Sequence, residues 1–146
     1  MAAKLKAATF SLGATVRIGE YELPGAGEYD VSAVHVEAKN LEAGIVYWLR
    51  AEDLQVAYLS HTDPTVNKHE EAAATDILVI NLSSEDTAAS LKPLLKSMEP
   101  SFLFLIGAGA TPDLMKSLSL PMQEGGSLKI TKVGLPEEGT TLIMPA

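Results

Sequence analysis

A chain of 146 residues is one domain long and can bury a core without disulfides or structural metals. With 47% apolar and 21% charged residues it is not a disordered chain. Its net charge of −8 argues against nucleic acid or an anionic membrane as partner, because both need a positive surface. No apolar run approaches the roughly 18 to 20 residues of a membrane span, and the first residues lack the apolar stretch of a signal peptide. No cysteine is present for a disulfide, a thiolate metal site or a nucleophile, so a cytoplasmic location is expected.

In chain order, residues 8 to 18 read as a weak strand, or as two strand pieces broken at Gly13. Gly-Glu-Tyr occurs at 19–21 and again at 27–29, with Pro24-Gly25 between the copies. That pattern predicts a hairpin whose facing strands present Tyr21 and Tyr29. Residues 31 to 38 alternate as a strand, and Asn40 to Gly44 is a polar connection. Ile45–Arg50 and Leu54–Leu59 predict a hairpin turning at 51–53, with Tyr47 and Trp48 as core or sheet-face residues. Asp63 before Pro64 predicts the N-cap of a short helix over about 64–73, with Glu70 and Glu71 on its outer face.

The apolar runs Asp76–Leu82 and Ser101–Ile106 predict strands buried on both faces. Ser83-Ser84-Glu85-Asp86 predicts the cap of a helix over about 85–98, kinked or interrupted at Pro93. Thr111 and Pro112 open a further short helix, Gln123–Gly126 is a loop, and Ser127–Lys132 and Thr140–Met144 form a closing strand pair. Strands that alternate early and a strand–helix–strand–helix tail imply a layered α/β domain.

Five segments in order are similar to segments of the metallo-β-lactamase-fold hydrolases, in particular the bacterial group that includes the ascorbate-phosphate lactonases. Gly27-Glu-Tyr-Asp-Val31 resembles that group's Pro-Gly-Glu-Tyr-Glu-Val motif, and Ala57-Tyr-Leu-Ser-His61 an apolar strand ending in Leu-Gly-Asp. Asp76-Ile-Leu-Val-Ile80 resembles its Asp-Val-Leu-Leu-Ile-Pro strand. Glu99-Pro-Ser-Phe-Leu-Phe-Leu-Ile-Gly107 resembles Glu-Pro-Lys-Ile-Val-Ile-Pro-Met-His, and Leu128–Glu138 the closing strand and Leu-Pro-Glu turn. The resemblance implies the C-terminal half of an αβ/βα sandwich over residues 19–146, a mixed sheet with short flanking helices. Residues 1–18 would be an N-terminal strand extension of the same single domain.

The departures bear on function. The family's His-x-His-x-Asp-His metal cluster has no counterpart in the sequence. His61 stands where the resemblance places the bridging aspartate, and Gly107 where it places a late histidine ligand. A hydrolytic zinc site needs at least three protein ligands and an open position for water. A degenerate, non-catalytic hydrolase fold with no cofactor is therefore expected.

Residues that could still carry chemistry form two groups. His61, Asp63 and His69 are the only metal-ligand constellation, although His69 lies about 9 Å along a helix that Asp63 would cap. Solvated polar side chains are the plainer explanation of all three. Gly107, Gly109 and Thr111, between a buried strand and a helix start, could hold an anion on backbone N–H groups. A tight turn that needs glycine is the plainer explanation. Ser83 and Ser84 lack the Gly-x-Ser-x-Gly setting of a nucleophile, and capping accounts for both.

Half of a sandwich would leave its inner sheet face bare, a large apolar patch that self-association or a protein partner would cover. The expected function is thus a self-associating assembly or binding module. The alternative is a metal-dependent hydrolase using zinc or manganese at a reduced site of His61, Asp63 and His69, or at a site completed by another polypeptide.

Overall fold

The structure, a computed structural model, describes residues 2–4, 9–12, 15–31, 33–51, 53–69, 72, 74–124 and 139–144. Two sheets, two α-helices and a 3₁₀ helix organise them. β1 (Ala2–Lys4), β2 (Thr9–Leu12), β3 (Val16–Ile18) and β4 (Tyr21–Glu22) form an antiparallel sheet in chain order. The second sheet has eight strands in the order β11-β12-β10-β9-β8-β7-β6-β5. Its first part is an antiparallel meander of β5 (Gly27–Val31), β6 (Val34–Asn40), β7 (Ile45–Ala51) and β8 (Leu54–Leu59). Its second part is parallel: β9 (Ile77–Asn81), β10 (Phe102–Ile106), β12 (Thr141–Met144) and β11 (Met122–Glu124). The predicted partner strand at 127–132, the Leu-Pro-Glu turn, Gly13, Glu70 and Glu71 lie outside the described residues. Gln123, expected in a loop, lies in β11.

The turn chemistry explains the meander. Ala33 and Asp53 both have positive φ, at 64° and 67°, in the two-residue turns that join β5 to β6 and β7 to β8. Such turns match the twist of antiparallel strands. The parallel strands need longer crossovers. The 3₁₀ helix Pro64–Lys68 and α1 (Ala88–Met98) supply two of them.

Successive residues of the central strands serve two cores, as the period of a strand requires. Tyr47, Leu49, Val56, Tyr58, Ile77, Val79, Phe102 and Ile143 face one side. Val46, Trp48, Ala57, Leu59, Leu78, Ile80, Leu103 and Leu142 face the other, where Leu91, Leu94 and Met98 of α1 and Leu114 and Met115 of α2 (Pro112–Ser117) cover them.

The first of these faces corrects the expectation of a bare inner sheet. Leu12, Val16, Ile18 and Leu23 pack onto it from the N-terminal strands, and Leu49, Tyr58 and Val79 beneath are buried. Leu12, Val16 and Ile18 are thus part of the core that covers this face. Among the described residues the large apolar side chains left exposed are Tyr21 at 47% and Met122 at 43%, too far short of a contiguous patch to demand a partner.

Three further expectations differ in detail. The two Gly-Glu-Tyr copies do not face each other as paired strands, since β4 pairs with β3 and β5 with β6. Their tyrosine rings still meet, with centroids 6.5 Å apart. The long helix starts at Ala88, not 85, because Ser83 and Asp86 bond to each other and Thr87 makes the capping box with Ser90. Pro93 does not interrupt it. The N–H that proline lacks would have met the carbonyl of Ala89, and both residues are exposed, so that carbonyl is not shut away from solvent.

On the outer part of the second face, β5 and β6 carry charge. His35 Nδ1 lies 2.9 Å from Asp30 and its Nε2 3.5 Å from Glu37. The bond to Asp30, opposed by partial burial and helped by Glu37, holds the imidazole above its ordinary 6.5. A folded pKa above the unfolded one stabilises the fold below pH 6.5, and that contribution is lost as pH rises through the folded value. Asp30→Asn is expected to move the His35 midpoint, followed by NMR of the ring proton, down towards 6.5. An unmoved midpoint would show that Asp30 is not the cause.

Candidate functional site

Because β8, β9 and β10 are parallel, their C-terminal ends share one edge of the sheet. Ser60 and His61 leave β8 there, Asn81 and Leu82 leave β9, and Gly107 leaves β10. Of these, His61 and Gly107 stand where the resemblance places metal ligands.

The β6–β7 connection closes over the first of them. Ser60 Oγ accepts the Ile45 N–H at 2.9 Å and sits 3.1 Å from His61 Nδ1. Gly44 rests on both side chains, since a Cβ there would lie 2.5 Å from Ser60 Oγ and from His61 Nδ1. His61 is exposed.

Asp63 is only 2% exposed, and its carboxylate is occupied. Oδ1 accepts the Thr65 N–H at 2.9 Å and the Thr65 hydroxyl at 2.6 Å, and Oδ2 accepts the Ala43 N–H at 2.7 Å. Burial pushes its pKa up, but these bonds, with one from the Glu42 backbone, together outweigh it and hold the group below its ordinary value. Asp63 is therefore the predicted cap of the 3₁₀ helix and also a clasp on the β6–β7 connection. His69 ends that helix, its backbone N–H bonded to Val66 O and its ring tilted against Trp48 at 6.4 Å.

A metal does not fit these side chains. Asp63 has its acceptor sites filled from within the chain, His69 faces an indole, and His61 stands at the surface. Among the described residues no group of three His, Cys, Asp or Glu is placed to hold a metal ion.

The second candidate group is a backbone weld. Gly107 has φ of +90°, and a Cβ on it would overlap Asn81 Oδ1 and lie 2.5 Å from Leu82 O. A Cβ on Gly109 would overlap Ser83 O. The Leu82 N–H donates to Ile106 O at 2.8 Å, and the Gly109 N–H donates to Leu82 O at 3.1 Å. The N–H groups of Ala110 and Thr111 are likewise given to Gly107 O and Gly109 O. Thr111 Oγ1 accepts the Leu114 N–H at 3.2 Å as the cap of α2. The amides an anion would need at 109–111 are thus spent on the turn. The adjoining groove is lined by Asp86 and Asp113, whose charge repels anions.

Sequence reasoning missed Asn81 and the aromatic pair below it. Tyr58 is fully buried, stacks on Tyr47 at 5.9 Å and bonds Asn81 through its hydroxyl. Burial raises the pKa of both phenols. The available signal was a polar residue closing an otherwise apolar strand, Ile77-Leu-Val-Ile-Asn81.

No protein-family model matches the chain, and no curated protein matches it. A solved structure from Thermotoga maritima, whose description proposes a Zn-dependent hydrolase of the metallo-β-lactamase superfamily, is similar with a TM-score of 0.60 at 17% identity. The match covers 83% of this chain and 70% of that one, so it is not confined to one half of the neighbour. At that identity the likeness speaks for the backbone and not for the chemistry. The chain has a mixed α/β fold like that of a metallo-β-lactamase superfamily hydrolase.

Proposed function

We propose that this chain works by binding and not by hydrolysis, as a protein-binding module on a metallo-β-lactamase-like fold. The observation that carries this reading is Asp63, the only carboxylate of the candidate constellation, which is buried and bonded to Ala43 and Thr65. Around it, Gly107 stands where the resemblance expects a histidine and has no room for a side chain. Self-association through the inner sheet face is no part of the proposal, since that face is covered. Zinc incubation, desalting and elemental analysis test the reading, alongside assays with lactone and phosphodiester substrates. The expected result is zinc far below one equivalent and no metal-dependent turnover. One retained equivalent together with turnover would overturn it.

A second reading keeps some support from His61. Its Nδ1 is held by Ser60 and the side chain is exposed, as for a histidine oriented to offer Nε2 outward. Another polypeptide would then have to bring the remaining ligands. Under that reading, turnover appears only when the partner is added.

A further inference from the structure

We infer that β5, the outer strand of the large sheet, is a docking edge for an extended peptide whose side chains alternate between basic and apolar. The inference deepens the binding-module reading and rests on it only in taking the chain to act by binding. The edge is separate from the His61–Gly107 end of the sheet.

The argument begins with the ladder. β5 pairs with β6 on one side, and among the described residues no strand pairs with its other side. Val31 and Val34 flank a two-residue turn, so they form a hydrogen-bonded pair, and Tyr29–Val36 and Gly27–Ala38 follow as the next ones. The N–H and C=O groups of Glu28 and Asp30 therefore point away from β6. They find no backbone partner elsewhere among the described residues. Two residues with outward donors and acceptors are the template that an added strand uses.

Side chains on the two faces of β5 say what such a strand should carry. Tyr29 and Val31 are half-buried on the core face, and Tyr21, 47% exposed, lies beside Tyr29. Glu28 and Asp30 stand on the opposite face, with the Asp30 side chain 85% exposed. Glu28 is directly opposite Glu37, a like-charge pairing that costs stability. Glu37 has Lys39 at 3.6 Å and His35 as neighbours, and Asp30 has His35, but among the described residues Glu28 has no ion-pair partner. A cation on an incoming strand would relieve that pairing. An apolar residue on its other face would cover Tyr21 and Tyr29.

The same charges disfavour a second copy. Antiparallel pairing of two β5 strands about Tyr29 would set Glu28 of each against Asp30 of the other, carboxylate facing carboxylate. A basic partner gains where a copy of this chain loses.

The test uses the whole chain, labelled with ¹⁵N, and a blocked nine-residue peptide of alternating lysine and valine. Amide shifts confined to 27–31, 34–38 and Tyr21 are expected. Glu28→Pro removes one outward N–H while leaving the bonds to β6, and should weaken binding at least tenfold with an unchanged circular dichroism spectrum. Glu28→Lys with Asp30→Lys should weaken the lysine peptide at least tenfold and admit a glutamate–valine peptide instead. Shifts elsewhere, equal binding of a peptide with the same composition in blocks, or indifference to Glu28→Pro would overturn the inference. So would a dimer in light scattering that Glu28→Pro dissociates, because the occupant would then be a second copy. Zinc retention measured on the same sample reports separately on the His61 edge, so either reading can fail without the other.

Discussion

Gly107→His, which restores the histidine that the resemblance expects at this position, is expected to destabilise the domain strongly and not to create a metal site. Two costs add. A side chain at φ of +90° stores backbone strain of about 1–3 kcal/mol. Its Cβ would also overlap Asn81 Oδ1 and press on Leu82 O, an overpacking cost of about 1–3 kcal/mol more. Gly107→Ala alone should therefore lose about 4 kcal/mol, a large share of the roughly 5–15 kcal/mol that holds a domain together. The histidine should lose at least as much. Urea unfolding of both variants, with and without zinc, checks the expectation. A histidine variant that is stable and zinc-stabilised would mean the edge can relax to accept a ligand. A double-mutant cycle with Asn81→Ala identifies the clash, since removing Oδ1 should make Gly107→Ala less costly than in the parent.

Such a tight junction was only partly legible in the sequence. The strands that lead into it were plain, because Ile77–Asn81 and Phe102–Ile106 are buried on both faces and so read as unbroken apolar runs. The hairpin of β7 and β8 was equally plain, its turn marked by a polar break at 51–53. What the sequence could not convey was which surfaces close on which. Leu12, Val16 and Ile18 sit in strands of three or four residues, too short for a periodic signal, yet they decide that the inner sheet face is covered. Reading a half-sandwich from the resemblance left that face bare, and the association argument followed from the omission.

The repeated Gly-Glu-Tyr failed as a hairpin signal for a similar reason. Local identity does not choose between sheets, whereas the Leu23 N–H bonded to Val16 O and the five-residue register of β5 on β6 do. Ser83-Ser84-Glu85-Asp86 resembled a cap because its residue types suit one. Asp86 turned back to Ser83, and Thr87 with Ser90 took the capping geometry one step later. At the candidate site, Asp63 before Pro64 did announce a cap. Its other contact, to Ala43 twenty residues earlier, has no sequence signature, and it is this contact that turns a cap into a clasp.

Removing that clasp should be costly. Asp63→Ala leaves the Ala43 and Thr65 N–H groups without their acceptor, at about 3 kcal/mol given that hydrogen bonds to charged groups are worth roughly 1.5–3 kcal/mol each and water can recover some of them. Asp63→Asn should cost about 2 kcal/mol, because one amide oxygen can still serve Thr65 while the NH₂ meets the Ala43 N–H donor to donor. The pH dependence gives the signature. The folded pKa of Asp63 lies below the unfolded 3.8, so the carboxylate's contribution is fully present above that value and is lost as pH falls through the folded one. The gap between parent and Asp63→Asn, measured by urea unfolding, should therefore be constant near neutrality and shrink below about pH 3.8. A gap that persists unchanged in acid would locate the effect in packing and not in charge. Run in EDTA, the same experiment separates the two roles open to this residue. A clasp costs the same stability with or without chelator, whereas a metal ligand would show its loss only when metal is present, and that second outcome would return Asp63, with His61, to the chemistry of the fold.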